Sequence, residues 1–349
     1  MHIAAPYGIG RTTAVVSVIL ILVVAAGGLY VYAGSSVAPD KVTLLLDFTP
    51  TYNHFPYYYG LDHGIYKSNG IDLTIQPGTG ASASISALAA GKVDFALADV
   101  PGLVLAELSS NITNVRVVAA VYQKTFYSIY YNKATISSLA DLEGQAGGAN
   151  SPSTSVQTDM FYVLAKLNGI NSSSLKLSYG SQSVITPLFV SGKLQYILKP
   201  LDSYGDVQAA ASANGIQVGL FPFEAYGIDA YGSALLTTTQ VISKDPSLVQ
   251  RMVLATMQSV VAASKDPAGA AASLVKYEPQ LNETSAIEGI NLLLSCCMVG
   301  ANTTSNPLTY GWLSPARMQS TLNLVLEGTG SQSSLNVSSL YTDQFVRAP

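Results

Sequence analysis

The stretch KSNGIDLTIQPGTGASASISALAAGKVDFAL, residues 67–97, decides the fold. IDLTIQ alternates apolar and polar residues as a half-buried strand does, PGTG turns the chain, ASASISALAA is a small-residue helix, and VDFALA is a second strand. The same order returns in KLNGINSSSLKLSYGSQSVITPLFVSGKLQYIL, residues 166–198, which again runs helix end, Asn-Gly-Ile, strand, Gly-Ser turn, helix, Gly-Lys, strand. Gly70 and Gly91 are 21 positions apart, Gly169 and Gly192 are 23 apart, so the two units are nearly equal in size. Their separation in the chain is too great for a stacked solenoid. It predicts two similar lobes, each a mainly parallel α/β sheet flanked by helices.

Working outward, VTLLLDF (42–48) is expected as a buried strand, and PYYYGLDHGIYKS (56–68) as a helix opened by Pro56 and stopped by Asn69-Gly70. VRVVAAVY, YSIYYN and ALLTTTQVIS read as further strands, and Pro101 opens another helix. Asp245-Pro246 opens a long helix, and Ser314 caps the start of one that Gly328 stops. The expected division is an anchor or signal over 1–34, a linker over 35–41, one lobe over 42–132, a second over 133–232, and a C-terminal part over 233–349 that returns to the first lobe. The chain would then cross between lobes near Asn132 to Thr135 and near Ala230 to Ser233.

Composition narrows the function. A formal charge of −4 and a pI near 5.3, with scattered Lys and Arg, exclude a nucleic-acid surface. Hydrophobic residues at 48% exclude general disorder. Thr12 to Tyr32 holds no charge and is long enough to span a bilayer, and Arg11 before it predicts an N-terminus on the inner side. Ala33, Gly34 and Ser35 would instead suit processing of a cleaved signal. Five Asn-x-Ser/Thr triplets, at Asn111, Asn171, Asn282, Asn302 and Asn336, fit a glycosylated exterior protein. The adjacent Cys296 and Cys297 make neither a disulfide framework nor a zinc site. They read as two small buried hydrophobes or as a vicinal disulfide.

In open parallel sheets a ligand lies beyond the carboxyl ends of the strands. That rule selects Asp47, Phe48, Asn53 and His54 after the first strand, Gly80, Ala81 and Ser82 after the second, Asp99 after the third, then Ser151, Ser153 and Thr154, and finally Asp202 and Tyr204. Phe48 offers a stacking face, as cleft tyrosines such as Tyr57, Tyr204 or Tyr226 would. The carboxylates can accept hydrogen bonds from an amine. No Ser-His-Asp set, HExxH, CxxC or phosphate-cradling GxxxxGK[ST] occurs, so neither a catalytic site nor a cofactor is expected.

These residues carry a family likeness. LLLDFTPTYNHFPYYYGLDHGIYKSNGIDLTIQPGTGASASISALAAGKVDFALADV (44–100) resembles the first lobe of ABC-transporter solute-binding proteins for thiamine pyrimidine precursors. SLADLEGQAGGANSPST (138–154) resembles the opening of their second lobe, and the segments from Thr309 and from Leu335 are similar to the family's C-terminal helix start and LYTxxFL ending. The resemblance implies a two-lobed periplasmic-binding-protein fold of the second type that closes over a small molecule outside the cell membrane and delivers it to a permease and its ATPase. Related members bind aliphatic sulfonates, nitrate or riboflavin, and a eukaryotic branch makes the thiamine pyrimidine itself. This chain has Phe48 where the family usually has Trp, Asp99-Val100-Pro101 where the enzymatic branch has a His, and no cysteine cluster. Asp202 stands where many members have a Glu, as a replacement acceptor. With no Arg among the candidate loops, the implied ligand is a neutral or weakly basic aminopyrimidine.

Overall fold

Two five-stranded sheets organise the protein over residues 38–150 and 155–349, which this computed structural model describes. The first sheet has the order β2–β1–β3–β10–β4, with β1 at Asp40–Leu45, β2 at Ile71–Gln76, β3 at Phe95–Asp99, β4 at Val115–Ala120 and β10 at Ser233–Thr238. The second has the order β7–β6–β8–β5–β9, with β5 at Tyr127–Asn132, β6 at Ala146–Ala149, β7 at Lys176–Tyr179, β8 at Tyr196–Pro200 and β9 at Val218–Pro222. Each sheet has a parallel trio and one antiparallel strand, β10 against β3 and β4, and β5 against β8 and β9. The topologies coincide strand for strand.

The repeated sequence supplies the matching geometry. Gly70 and Gly169, ending the helices that precede β2 and β7, both have φ of +70°, and Gly91 and Gly192 before β3 and β8 have +69° and +73°. A side chain costs energy in that left-handed conformation, so glycine recurs at both places. The register extends the equivalence to strands whose sequences do not look alike. Leu44 in β1 stands opposite Phe95, and Gly147 in β6 stands opposite Tyr196. Since Phe95 and Tyr196 occupy the same place in the repeat, Leu44 corresponds to Gly147, and Asp47 to Asn150. Gly147 is required where Leu44 suffices because a Cβ there would lie 2.2 Å from Cζ of the Tyr196 ring.

Three features depart from the expectations. Tyr127–Asn132, assigned by sequence to the first lobe, pairs with β8 and β9 as β5 of the second sheet. The chain therefore changes sheets over 121–126, before Asn132 rather than near it. That connection carries buried Tyr122 and Phe126 and none of the Gly, Pro or Asn residues of a hairpin turn. Second, the C-terminal part does more than return to the first sheet. β10 does return, and the helix Pro246–Lys265 packs on Phe55–Asp62, but Glu283–Cys296 packs on the Leu201–Ser203 turn and Pro315–Thr329 on Val156–Leu167. Third, three of the five glycosylation triplets are also local caps: the Asn171, Asn282 and Asn336 side-chain oxygens accept backbone N–H groups of Ser173, Ser285 and Ser338.

Cys296 and Cys297 form a vicinal disulfide. The expected anchor at Thr12 to Tyr32 lies outside the described residues, as do Ser151, Ser153 and Thr154. Among the described residues no helix is long and apolar enough to cross a membrane.

Candidate functional site

The carboxyl ends of β1 and β3 meet those of β6 and β8 around a cavity of about 260 Å³. From the first half it is lined by Asp47, Phe48, Thr51, Asn53, His54, Gly80, Ala81 and Asp99, and from the second by Asn150, Gln157, Gln182, Lys199 and Pro200, among others.

Asp47 follows β1 and accepts a hydrogen bond from His54 Nε2 at 2.8 Å. The ring's other nitrogen, Nδ1, receives the Thr51 backbone N–H at 3.0 Å, so it must be the acceptor and Nε2 must carry the proton. His54 is almost wholly buried and thus acts as a strut for Asp47. The turn that presents it, Tyr52–His54, lies just ahead of the helix opened by Phe55-Pro56.

Asp99 ends β3 and is 2% exposed. The Tyr127 hydroxyl donates to its Oδ2, while Oδ1 has no partner among the described residues. Burial, reinforced by the nearby Asp47 charge and only partly offset by Tyr127, pushes the Asp99 carboxyl up to about 7. Near neutral pH it therefore exchanges between acceptor and donor. Phe48, 36% exposed, provides an aromatic face in the same wall.

The opposite wall has different chemistry. Lys199, in β8, is 9% exposed, and its Nζ donates to the Thr186 hydroxyl at 3.2 Å. Burial pulls its ammonium below the usual lysine range, against the opposing pull of Asp202 and Asp206. Gln157 Nε2 and Gln182 Oε1 are buried without partners among the described residues, and the Gln182 amide donates to Asn150 Oδ1 at 3.3 Å.

Several anticipated residues stand elsewhere. Asp202 is fully buried at the seam between the halves, where its Oδ2 accepts the Asn53 backbone N–H at 2.8 Å. Burial pushes its carboxyl up to about 6. It joins the two halves rather than lining the cavity. The reason is the 3₁₀ turn Leu201–Ser203, which aims Asp202 toward the Tyr52–His54 turn. Ser82 is exposed and lines a separate groove behind its helix. Tyr57 is sealed in the core at 1% exposure, Tyr204 packs against the cluster around Tyr130 and Val207, and Tyr226 sets its ring edge-on to Phe221 at 5.4 Å. None of these three lines the cavity.

Lys199, Gln157, Gln182 and Tyr127 were missed by sequence reasoning. The repeat held the signal for one of them: aligning GKVDFALAD with GKLQYILKP sets Lys199 against Ala98 and Pro200 against Asp99. A lysine at the last inward turn of a buried strand is unusual enough to mark a site.

A family model described as NMT1/THI5 like matches residues 51–270. The 4-amino-5-hydroxymethyl-2-methylpyrimidine phosphate synthase THI5 of Saccharomyces cerevisiae is 22% identical over 254 residues, covering 70% of this chain and 73% of that protein. The alkanesulfonate-binding protein SsuA of Xanthomonas axonopodis pv. citri, bound to MOPS, superposes with a TM-score of 0.68 at 13% identity, covering 88% of this chain and 99% of that one. A Candida albicans protein described as having the generic periplasmic binding protein fold superposes with a TM-score of 0.65 at 11% identity, covering 89% and 98%. The two-sheet α/β architecture is thus the periplasmic-binding-protein fold.

Proposed function

The chain belongs to the NMT1/THI5 like family, and from that premise we propose that it is an extracytoplasmic solute-binding protein of an ABC importer. It captures a thiamine pyrimidine precursor or a similar aminopyrimidine and hands it to a permease and its ATPase, with the N-terminal segment as its membrane tether. The observation that carries this reading is the carboxylate pair Asp47 and Asp99 in a cavity wall that holds no arginine among the described residues. Two acceptors beside an aromatic face suit an exocyclic amine on a flat ring. The His54 strut holds one of them in place, and Oδ1 of Asp99, which has no partner among the described residues, is left for the solute.

The two halves act as lobes that close on the solute, turning about the connections at 121–126 and 223–232. Contacts to both walls favour the closed form by whatever free energy they add there. Small-angle scattering should show a smaller radius of gyration with solute than without. An unchanged radius at saturation contradicts lobe closure.

A synthase reading rests on the yeast relative, a 4-amino-5-hydroxymethyl-2-methylpyrimidine phosphate synthase. At the carboxyl end of β3 this chain presents Asp99-Val100-Pro101, with no histidine. Mass spectrometry after prolonged incubation in cell extract without added pyrimidine separates the two readings: a synthase accumulates new pyrimidine phosphate, whereas a binding protein releases no more than the solute it carried. The primary test is calorimetric titration of the full-length protein with 4-amino-5-hydroxymethyl-2-methylpyrimidine, taurine and nitrate. Binding of the pyrimidine alone is expected. Tight binding of taurine or nitrate with no response to the pyrimidine overturns the assignment.

A further inference from the structure

The cavity's two walls differ in charge: the first carries Asp47 and Asp99, the second carries Lys199 with Asp206 beside it, and the repeat sets part of that difference position by position. At the ends of β1 and β3 stand Asp47 and Asp99, and at the equivalent ends of β6 and β8 stand Asn150 and Pro200. One residue before that last position, Ala98 of the first half is replaced by Lys199. A buried ammonium is costly without a counter-charge. Among the described residues, Lys199 forms no ion pair, and its one side-chain partner is the neutral Thr186 hydroxyl. Gln157, 4% exposed in the same wall, has no partner for its Nε2 donor among the described residues. The first half thus offers acceptors, and the second offers a cation and an N–H donor beside Asp206, whose carboxylate already accepts the Tyr52 hydroxyl at 2.8 Å.

We infer that the solute is amphoteric: an amino-heterocycle that also carries a carboxylate, with its amine on Asp47 and Asp99 and its carboxylate on Lys199, aided by Gln157. This inference rests on the reading of the cavity as an amino-heterocycle site and adds the second functional group that the solute must bear. Asp202 and Asp206 lie near enough to act on Lys199 through space, and they present the rival account, in which the lysine merely balances the acidic seam. The two accounts differ in what removal of the charge does to selectivity. A solute-facing ammonium discriminates between solutes, whereas a balancing one affects stability alone.

The test titrates the full-length protein with 4-amino-2-methylpyrimidine-5-carboxylate and with 4-amino-5-hydroxymethyl-2-methylpyrimidine. The ring and amine are the same, and only the charge at the 5-substituent differs. The carboxylate is expected to bind at least roughly tenfold tighter, as a charge-assisted hydrogen bond provides. Lys199→Met, which keeps the aliphatic stem, should erase that preference, read as the ratio of the two affinities in the same variant. Lys199→Arg, as the charge-retaining control, should keep it. Equal or tighter binding of the hydroxymethyl compound by the wild type overturns the inference and leaves the aminopyrimidine assignment standing, and it does so without any variant having to fold. A preference that survives in a folded Lys199→Met protein likewise overturns it. If neither pyrimidine binds, the inference falls together with the assignment.

Discussion

Residues 67–99 and 166–200 build the same strand–helix–strand unit, on the same backbone turns and in the same place within their sheets, yet they end in different chemistry. The first ends in Ala98-Asp99 and the second in Lys199-Pro200. The difference teaches where each property resides. The scaffold depends on alternation, glycine and register, which the two units share. The site depends on the last residues of each strand: Asp99, Lys199 and Pro200 line the cavity, while Ala98, the counterpart of Lys199, is packed in the core.

The largest expected effect concerns charge. In the folded protein Asp99 keeps its proton up to about pH 7, whereas in the unfolded chain it loses it near the ordinary carboxylate pKa of about 4. Its favourable contribution to folding is complete below about pH 4 and is lost as the pH climbs through 7. Asp99→Asn removes that titration and keeps an acceptor for Tyr127. The variant should be more stable than the wild type at pH 8, by on the order of 4 kcal/mol, with the gap closing toward pH 4. Asn150→Ala, at a non-titrating position of the other half, should leave the pH profile unchanged. Parallel profiles for wild type and Asp99→Asn in denaturant unfolding would break the contrast.

A smaller effect sharpens it in binding. Asp47→Asn should weaken the aminopyrimidine by about 1.5 to 3 kcal/mol, and Asn150→Ala, its counterpart across the cavity, by about 0.5 to 1.5 kcal/mol. Calorimetry reads both, and equal losses would mean that the two walls are not specialised.

The smallest effect tests the shared scaffold. Gly70→Ala and Gly169→Ala should each cost about 1 kcal/mol in urea unfolding, because both enforce a left-handed residue. A loss in only one would show that the turns are not equivalent.

This division also explains what the sequence made legible. Both units, the strand ends and the pair Asp47 and Asp99 could be read because periodicity, turn glycines and strand termini are local properties. The sheet to which YSIYYN belongs could not, since a strand that alternates well pairs in either sheet, and its partners β8 and β9 lie far along the chain. Tyr57 and Tyr226 have the composition of a ligand wall, but their rings are taken up by packing that no local pattern announces. Asp202 was placed correctly at a strand end and wrongly in the cavity because one 3₁₀ turn redirects it. Lys199 was overlooked because a lone lysine in a strand carries no motif, and its meaning comes only from the wall opposite.

The backbone of Asn53 is held from two sides: its N–H donates to Asp202 of the second half, and its carbonyl accepts the Tyr122 hydroxyl at 2.5 Å. The hydrogen on that nitrogen has no other acceptor among the described residues, so it would trade places with a solvent deuteron when the halves part at this seam. In deuterated water a single peptide bond would therefore act as a counter of opening events. Its exchange would be slow while the molecule is shut and would quicken with each excursion, and a tight solute would stop the count.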